Sequence, residues 1–338
     1  MKQVVIPIFI PHKGCPFDCI YCNQKTISGQ SEDVSLEMMR NMIEMHLTSV
    51  SKDTVVEIGF YGGSFTGIDK NQQIQYLETA YEYIRQGRIK AIRLSTRPDY
   101  ISLEILEYLK EYGVNTIELG VQSLDQEVLD KTCRGHNREH VINASQLIKE
   151  FGINLGIQTM IGLPGDNREK DLCTAREVIG LKPALVRIYP TLVIKGTYLE
   201  TMYYKGLYTP LTLETAVEIC AELLEMYESS GIKVIRVGLQ PTETINEGMD
   251  VAAGPFHSAF RQLVEARLNL HKLEELIQKH QLQNAEKITI FTGCRNISNV
   301  TGQKKGNINY LRDKYGYKQI KVKVDESLNG NIHISKHQ

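Results

Sequence analysis

The chain has 338 residues, and its 39 lysines and arginines nearly balance its 40 aspartates and glutamates, so the formal net charge is −1 at pH 7. This balance excludes a global positive field that would steer the protein to nucleic acid or a membrane, and either kind of binding needs a local patch. No apolar run approaches the ~20 residues of a membrane span. Seven cysteines without a secretory signal indicate a reducing compartment, and we expect a cytoplasmic protein that does not bind a membrane.

Strand-like and helix-like segments alternate through the first 240 residues. β-branched runs predict strands over 4–10, 54–61, 91–95, 116–121, 154–161, 185–189 and 234–237. Apolar residues at helical spacing predict helices over 35–50, 71–86, 102–112, 140–151, 168–179 and 212–229. This alternation is typical of parallel βαβ units, which form either an open Rossmann-like sheet or a barrel.

The pattern changes after about residue 240, and we expect a core domain over 1–240 and a C-terminal extension over 241–338. The stretch 241–254 is interpreted as a linker because it holds two glycines and many polar residues. A helix is predicted over 259–280. A small α/β unit that is richer in lysine is predicted over 288–338.

Glycine-rich and polar signatures follow five of the predicted strands. They are the segment 15–22, Gly62-Gly63-Ser64, Thr96-Arg97-Pro98-Asp99, Gln122-Ser123 and Gly162-Leu163-Pro164-Gly165. The carboxyl ends of parallel strands meet at one edge of a sheet, and the chemistry of barrels of this class lies at that edge. We therefore expect these segments to share one site.

Three cysteines, Cys15, Cys19 and Cys22, lie within eight residues at a C-x3-C-x2-C spacing. Thiols this close are poorly placed for disulfides but well placed to hold three corners of one [4Fe–4S] cluster, which leaves one iron open for a substrate or cofactor. A zinc site with His12 as the fourth ligand is the alternative, although zinc sites usually add a second, distant cysteine pair. The other four cysteines are scattered singly and are interpreted as structural.

With this spacing the segment resembles the radical S-adenosylmethionine (SAM) enzymes. The resemblance implies a partial (β/α)6 barrel with a small C-terminal α/β unit. It also implies that the three cysteines hold a [4Fe–4S] cluster, that SAM binds the open iron, and that one electron from the cluster cleaves SAM to a 5′-deoxyadenosyl radical. An electron donor such as a flavodoxin or a ferredoxin is then an expected partner.

The resemblance further implies which residues contact SAM. Gly62 and Gly63 would let the backbone approach the methionine amino group, and Ser64 stands where many relatives have an acidic residue. Gln122 and Arg134 resemble SAM-contacting residues of the coproporphyrinogen-oxidase and Elongator branches, since a guanidinium pairs well with a carboxylate. The remaining implied contacts are Tyr21 beside the adenine, Thr96 on the rim and Gln158 near the ribose.

Each of these assignments has a structural alternative. A Gly-Gly pair also suits a plain strand-to-helix turn. Arg134 is alternatively a solvent-facing charge at a helix end, and Tyr21 a packed loop aromatic.

At three further places the resemblance narrows to the catalytic subunit of Elongator, which modifies wobble uridines in tRNA. They are residues 95–100, Gly135-His136 after Arg134, and Lys195-Gly196-Thr197. The similarity runs from about residue 3 to about residue 240. About 100 residues follow, fewer than Elongator's acetyltransferase domain needs, and its N-terminal tRNA-binding extension is missing. We therefore expect a stand-alone radical SAM protein.

Residues 300–324 resemble a KH motif, in which a glycine loop between two helices binds a nucleic-acid backbone. Gly302 is in the expected register, whereas Lys305 takes the place of the second loop glycine. Lys304 and Lys305 are suited to meet phosphates of tRNA or another RNA. An ordinary α/β cap with a lysine-bearing turn is the alternative.

Three functions are compatible with these patterns. The first is a radical SAM enzyme that modifies RNA, favoured by the Elongator-like and KH-like segments. The second is a radical SAM enzyme for a small molecule such as a porphyrin-type metabolite, favoured by the nearly neutral charge. The third is a zinc-stabilised RNA-binding module without catalysis.

Overall fold

Parallel strands separated by helices dominate the computed structural model. The strands of the first 256 residues are β1 Gln3–Phe9, β2 Val55–Tyr61, β3 Ala91–Thr96, β4 Val114–Gln122, β5 Asn154–Ile161, β6 Leu185–Pro190, β7 Val193–Ile194, β8 Lys233–Val237 and β9 Val251–Ala253. Seven of them form one sheet in the order β1-β2-β3-β4-β5-β6-β8, and each neighbouring pair is parallel. β7 and β9 form a separate antiparallel pair.

Helices connect most of these strands. They are α1 Leu36–Ser49, α2 Lys70–Arg85, α3 Leu103–Glu111, α4 Gln126–Lys131, α5 Arg138–Glu150, α6 Arg168–Leu181, α7 Tyr198–Tyr204 and α8 Leu213–Ser229. Capping side chains fix where several of them begin. Ser102 and Asn167, for example, each accept a hydrogen bond from a backbone N–H in the first turn of the following helix.

The predicted partial (β/α)6 barrel is confirmed: the sheet is a curled half-barrel, to which β8 adds a seventh parallel strand. One face of the sheet is apolar along much of its strands, as is typical of a parallel sheet covered by helices. Ile58, Leu94, Ile117 and Ile188 are fully buried examples. Because the strands are parallel, their carboxyl ends lie at one edge, which is here called the rim.

The predicted small C-terminal α/β unit is also confirmed. It contains α9 Phe260–Lys279, β10 Lys287–Thr292, α10 Ile297–Thr301, α11 Gly306–Tyr315, β11 Gln319–Val324 and β12 Ile332–Lys336. The strands form a sheet in the order β11-β10-β12, with β10 parallel to β11 and antiparallel to β12. Leu273, Ile277, Ile288, Ile290 and Leu311 are buried in its core.

The structure describes residues 3–10, 19–23, 34–51, 53–239, 249–328 and 330–336. Its two compact units are Met1–Thr212 with Met226–Phe256, and Leu213–Glu225 with His257–Gln338. Cys15 and His12 lie outside the described residues, as does most of the stretch interpreted as a linker. Within the described part, no helix is long and apolar enough to cross a membrane.

Candidate active site

The cysteine segment follows β1 and presents two thiols from one turn. The Cys22 N–H donates to the Cys19 carbonyl at 2.8 Å, which closes the turn. The Cys19 side chain is buried, and Cys22 is half-buried. Two of the three predicted cluster ligands therefore lie together, while the third, Cys15, falls outside the described residues.

Backbone hydrogen bonds hold this segment from two sides. The Ile20 N–H donates to the Thr132 carbonyl at 3.3 Å, and the Ile20 carbonyl accepts from the Leu199 N–H at 2.7 Å. The Asn23 amide donates to the Lys195 carbonyl at 3.0 Å. The Lys195-Gly196-Thr197 segment, singled out in the sequence as Elongator-like, therefore helps to fix the cysteine turn.

Tyr21 is a packed aromatic in the same segment. Its ring lies in an apolar cluster with Val128, Leu163, Leu199 and Tyr208. Its hydroxyl is buried and has no hydrogen-bond partner among the described residues. Packing and ligand contact are compatible, so the adenine contact of Tyr21 stays a prediction.

Gly62 occupies a position on the rim where no side chain fits. Its φ is +98°, and an added Cβ would lie 2.6 Å from the Ile10 carbonyl oxygen. The Ile10 N–H in turn donates to the Tyr61 carbonyl. Glycine is required here to let β2 end against the backbone that follows β1, whatever ligand the rim holds.

The next two residues on the rim differ in exposure. Gly63 is half-exposed and lines a small pocket together with Tyr61 and Ser95. Ser64 is buried and precedes a single turn of 3-10 helix, Phe65–Gly67. The Thr96 hydroxyl, also buried, shares a hydrogen bond with the Thr66 hydroxyl in that turn. A SAM contact by Ser64 or Thr96 stays a prediction.

β4 ends in a bulge, which sets the geometry of Gln122. Gly120 pairs with Gln158 and Gln122 pairs with Thr159, so one extra residue, Val121, lies on the β4 side. Gln122 has a left-handed φ of +68°, which is uncommon for a residue with a side chain. Its Oε1 atom is buried without a hydrogen-bond partner among the described residues. Strained backbone and an unmet acceptor together are typical of a ligand site.

The Arg134-Gly135-His136 segment clamps this bulge. An Arg134 Nη2 group donates to the Gly120 carbonyl, and His136 Nε2 donates to the Val121 carbonyl at 3.2 Å. Nη1 of Arg134 donates to the Cys19 sulfur at 3.5 Å. Arg134 is only 8% exposed, so the solvent-facing alternative for this residue is wrong.

Buried charges support the clamp from behind. Arg97 is 2% exposed and makes two hydrogen bonds of 2.9 Å to the Asp99 carboxylate. Burial alone raises the pKa of Asp99, but the Arg97 guanidinium outweighs it and the net shift is downward. Burial, helped by Arg134 and Arg97, lowers the pKa of His136 to about 3, so its imidazole is neutral at neutral pH. The Nε2–H tautomer then follows from its contact with the Val121 carbonyl.

Below the rim, the half-barrel interior holds a network of charged and polar side chains. Glu118, which is fully buried, accepts hydrogen bonds from Arg187 at 2.9 Å, Gln158 at 3.3 Å and Arg93 at 3.4 Å. Arg93 also pairs with Glu57 at 2.8 Å. The two arginines and two glutamates balance in charge, as buried ionised groups must.

Tyr61 and Arg187 extend this network toward the rim. Arg187 donates to the Tyr61 hydroxyl at 3.2 Å and lies 5.1 Å from the centre of its ring. Burial, with the Glu118 charge, raises the pKa of Tyr61 to about 12. Burial lowers the pKa of Arg187, but Glu118 more than reverses this, so both guanidinium and phenol keep their protons.

Gln158 belongs to the network as well as to the predicted SAM contacts. Its amide nitrogen donates to the Ser95 hydroxyl at 3.1 Å and to Glu118. The side chain is half-buried, so it can still meet a ligand from above. The sequence reasoning did not select Glu57, Arg93, Glu118 or Arg187. Charged residues inside otherwise apolar predicted strands were the available signal, but their pairing depends on which strands become neighbours.

The residues present fit a [4Fe–4S] cluster with SAM beside it. Two thiols share one turn at the rim, and sulfur ligands suit iron–sulfur clusters. The buried Arg134 guanidinium donates to the Cys19 sulfur. At the end of β4, the side-chain oxygen of Gln122 is buried without a partner among the described residues. A polar ligand at this rim would give the Gln122 acceptor the partner that the protein does not supply.

Sequence comparison places the chain in a family. A sequence model of the Radical SAM superfamily matches residues 9–175, and one of the Radical_SAM C-terminal domain matches residues 183–270. The chain belongs to the radical SAM superfamily and is an enzyme of that class. The family typically uses SAM and a [4Fe–4S] cluster.

The similar proteins include enzymes of the Elongator type. The tRNA uridine(34) acetyltransferase of Dehalococcoides mccartyi is 28% identical over 255 residues, covering 65% of this chain and 56% of that protein. The Methanocaldococcus jannaschii protein of the same name is 38% identical over 137 residues, covering 40% and 25%. Human Elongator complex protein 3 is 30% identical over 195 residues, covering 56% and 34%. The chain thus spans about a quarter to just over half of the length of these relatives.

A solved structure supports the fold. An archaeal Elp3 from Methanocaldococcus infernus, with its N-terminus deleted, superposes with a TM-score of 0.63 at 23% identity. The match covers 83% of this chain and 63% of that one. It agrees with the half-barrel derived from the strand order.

A second candidate site lies in the C-terminal unit, in the loop between α10 and α11. Gly302 has a φ of +72°, and an added Cβ would lie 2.9 Å from the Asn307 backbone nitrogen. The Asn307 amide ties the loop down by donating to the Ala266 carbonyl at 2.8 Å and to that of Asn299 at 3.1 Å. β10 and β11, which flank the two helices in the chain, are parallel neighbours. This arrangement is the helix–glycine loop–helix that the sequence predicted.

Lys304 and Lys305 form the exposed part of that loop. Both have left-handed φ values, +52° and +61°, although both carry a side chain. Lys305 thus adopts the conformation that the missing second glycine would adopt more easily. The loop presents two adjacent ammonium groups to solvent, and phosphate binding by them stays a prediction.

Proposed function

We propose that this protein is a radical SAM enzyme that modifies RNA, with tRNA as the substrate class. Cys15, Cys19 and Cys22 would hold a [4Fe–4S] cluster with SAM on its open iron. The cofactors supply the hard chemistry, which is reductive cleavage of SAM to a 5′-deoxyadenosyl radical that takes a hydrogen atom from the substrate. A flavodoxin or ferredoxin would supply the electron.

The observation that carries the proposal is the turn that presents Cys19 and Cys22 at the rim, beside the clamped bulge of β4. Around that turn the protein binds, orients and excludes water. Gly62 and Gly63 would contact the amino acid part of SAM through their backbone, and Gln122 offers the unmet oxygen of its side-chain amide. Arg134, which is buried, would pair its positive charge with the SAM carboxylate.

Iron and sulfide analysis of Cys19→Ala tests the cluster. The wild-type chain, reconstituted anaerobically, should bind iron and acid-labile sulfide and form 5′-deoxyadenosine from SAM and a reductant. The variant should lose iron while its far-UV circular dichroism stays that of the wild type. Cys173→Ala, which removes an exposed thiol outside the site, is the matched control and should keep the cluster. Zinc in place of iron in the wild type contradicts the proposal.

The proposal of RNA as the substrate is supported by the similarity to tRNA uridine(34) acetyltransferases and by the exposed loop with Lys304 and Lys305. Each phosphate contact contributes roughly 0.7–0.9 to the slope of log affinity against log salt. Lys304→Ala with Lys305→Ala should therefore weaken binding of an unmodified tRNA transcript and flatten that slope by somewhat over one unit. SAM cleavage without RNA should not change.

The matched control for the loop is Lys272→Ala with Lys279→Ala. Both lysines are exposed and lie in the same unit on α9, so the charge change is identical and the location differs. This variant should bind tRNA like the wild type. Equal loss in both double variants would mean that charge alone matters, and no salt-sensitive binding in the wild type would favour a small-molecule substrate.

A further inference from the structure

The contact between Arg134 and Cys19 concerns a cluster ligand and not SAM. Nη1 of Arg134 lies 3.5 Å from the Cys19 sulfur, in hydrogen-bond geometry. Nη2 is engaged by the Gly120 carbonyl. Both side chains are buried, with 8% of Arg134 and 4% of Cys19 exposed. Two fixed points on one rigid, planar group leave it little freedom to turn away from the sulfur.

The backbone also holds Arg134 in place. Cys133 and Gly135, its neighbours on either side, both have left-handed φ values, +53° and +79°. The Arg134 N–H donates to the Leu129 carbonyl in α4 at 3.0 Å. A non-glycine residue persists in this conformation only when its surroundings over-determine it. The tight turn therefore directs the guanidinium, and the same loop binds the cysteine segment through Thr132.

The chemistry of the contact follows from charge. A guanidinium keeps its proton in proteins, so Arg134 brings a permanent positive charge. Reduction of an iron–sulfur cluster adds a negative charge, and hydrogen bonds to the ligand sulfurs, with net charge and solvent exposure, set its reduction potential. In a site screened from water, a charged donor acts more strongly than it would in solvent. Such a donor would stabilise a reduced cluster more than an oxidised one.

We propose that Arg134 is a positioning residue for Cys19 whose N–H···S hydrogen bond raises the reduction potential of the cluster. The inference rests on the proposed function, since it needs the cluster to be there. It is separate from any contact of Arg134 with the SAM carboxylate, because it acts before SAM binds. A guanidinium carries five N–H donors, so one residue can serve both purposes.

The test is a redox titration of the reconstituted full-length chain in the absence of SAM, followed by the electron paramagnetic resonance signal of the reduced cluster. Arg134→Gln removes the charge, and its midpoint potential should shift to a more negative value. Arg134→Lys keeps the charge but not the planar fork, and its shift should be smaller. Arg138→Gln, which removes an exposed arginine paired with Glu177, is the matched control and should not shift.

Resonance Raman spectra of the oxidised cluster give a second readout that a purely structural role would not move. Loss of the hydrogen bond should change the iron–thiolate stretching bands in Arg134→Gln and leave them unchanged in the Arg138 control. If Arg134→Gln fails to retain iron, both measurements are made on Arg134→Lys. A midpoint potential more negative than that of the wild type, with altered iron–thiolate bands, supports the inference, and wild-type values of both overturn it.

The outcomes separate the two proposals. A wild-type chain that takes up no iron contradicts the proposed function. A loaded wild type and a loaded Arg134→Gln variant with the same potential and the same bands contradict only the inference about Arg134. A potential that shifts only when SAM is added returns the residue to the role of a SAM contact.

Discussion

Replacement of Glu118 by glutamine should destabilise the half-barrel more than any exposed carboxylate does. Glu118 is fully buried and accepts hydrogen bonds from Arg187, Arg93 and Gln158, with the Tyr61 hydroxyl at 3.5 Å. Glutamine has nearly the same shape, so the substitution removes the charge without opening a cavity. Arg93 then keeps its ion pair with Glu57, whereas Arg187 loses the carboxylate that it contacts.

The expected loss of unfolding free energy follows from the kind of interaction that is removed, a buried ion pair. Removal of one partner from a buried ion pair typically costs about 3–5 kcal/mol, because it leaves an uncompensated buried charge. The amide can still accept one hydrogen bond, so we expect the lower end, about 3 kcal/mol. With a urea m-value of about 3 kcal/mol per M, the unfolding midpoint moves about 1 M lower.

Urea unfolding followed by far-UV circular dichroism measures this, since the chain has no tryptophan for fluorescence. Glu104→Gln is the control: that side chain is 73% exposed and pairs with Lys70 on the surface. Exposed pairs contribute about 0–1 kcal/mol, so the control should shift little. A loss below about 1 kcal/mol in Glu118→Gln, no larger than in the control, would refute the reasoning. If Glu118→Gln destabilises the protein as expected, a double-mutant cycle with Arg187→Gln should give a coupling energy of at least about 1 kcal/mol between the two residues.

Three further predictions concern single sites. Burial and the Asp166 carboxylate raise the pKa of Asp171 far above its usual range. The folded protein therefore loses stability as the pH rises above about 4, the pKa of an aspartate in the unfolded chain. Asp171→Asn should raise the unfolding free energy by about 1–3 kcal/mol at pH 7 but not at pH 4. Burial lowers the pKa of His136 to about 3. The stability that neutral His136 contributes is present above pH 6.5 and is lost as the pH falls from 6.5 toward 3. The wild type should therefore lose about 2 kcal/mol of unfolding free energy between pH 7 and pH 5 that His136→Gln does not lose. Gly62→Ala should lower the thermal midpoint, because its Cβ meets the Ile10 carbonyl oxygen.

The controls differ among these three. An unchanged unfolding free energy of Asp171→Asn at pH 7 contradicts the raised pKa, and the Glu104→Gln control should show no such pH pattern. For His136, the difference between wild type and variant isolates this residue from the other histidines, and parallel stability–pH curves contradict the prediction. Gly180→Ala, a helical glycine with nothing within 4 Å of its Cβ, should not lower the thermal midpoint as Gly62→Ala does.

Much of the half-barrel could be predicted from the sequence because its strands and helices alternate with clear periodicity. The short helices α4 and α7 were missed, since six or seven residues give too few turns for a periodic pattern. The rim could be located because parallel strands end on the same side. The contacts of the rim residues could not be predicted, because a glycine at a strand end, such as Gly62, suits a ligand and a neighbouring backbone equally well.

The charge network was beyond sequence reasoning for a different reason. Glu57, Arg93 and Glu118 stand on three strands separated by about 25 to 60 residues, and their pairing follows only from the strand order and register. Arg134 illustrates the same limit. The sequence motif indicated a functional arginine, but the neighbouring sulfur of Cys19 belongs to a segment 115 residues away.

Two glycines inside strands make positions of this chain dependent on each other during divergence. A Cβ on Gly59 would lie 2.5 Å from the Tyr61 ring, and a Cβ on Gly156 would lie 2.9 Å from the Glu118 side chain. Each glycine therefore leaves volume that a neighbouring side chain fills: a side chain added at the glycine alone clashes, and a shorter neighbour alone leaves a void. Among homologous chains we expect alanine at position 59 to accompany a smaller side chain at position 61. Covariation of such pairs would trace which lineages kept the buried charges and which replaced the half-barrel interior as a set.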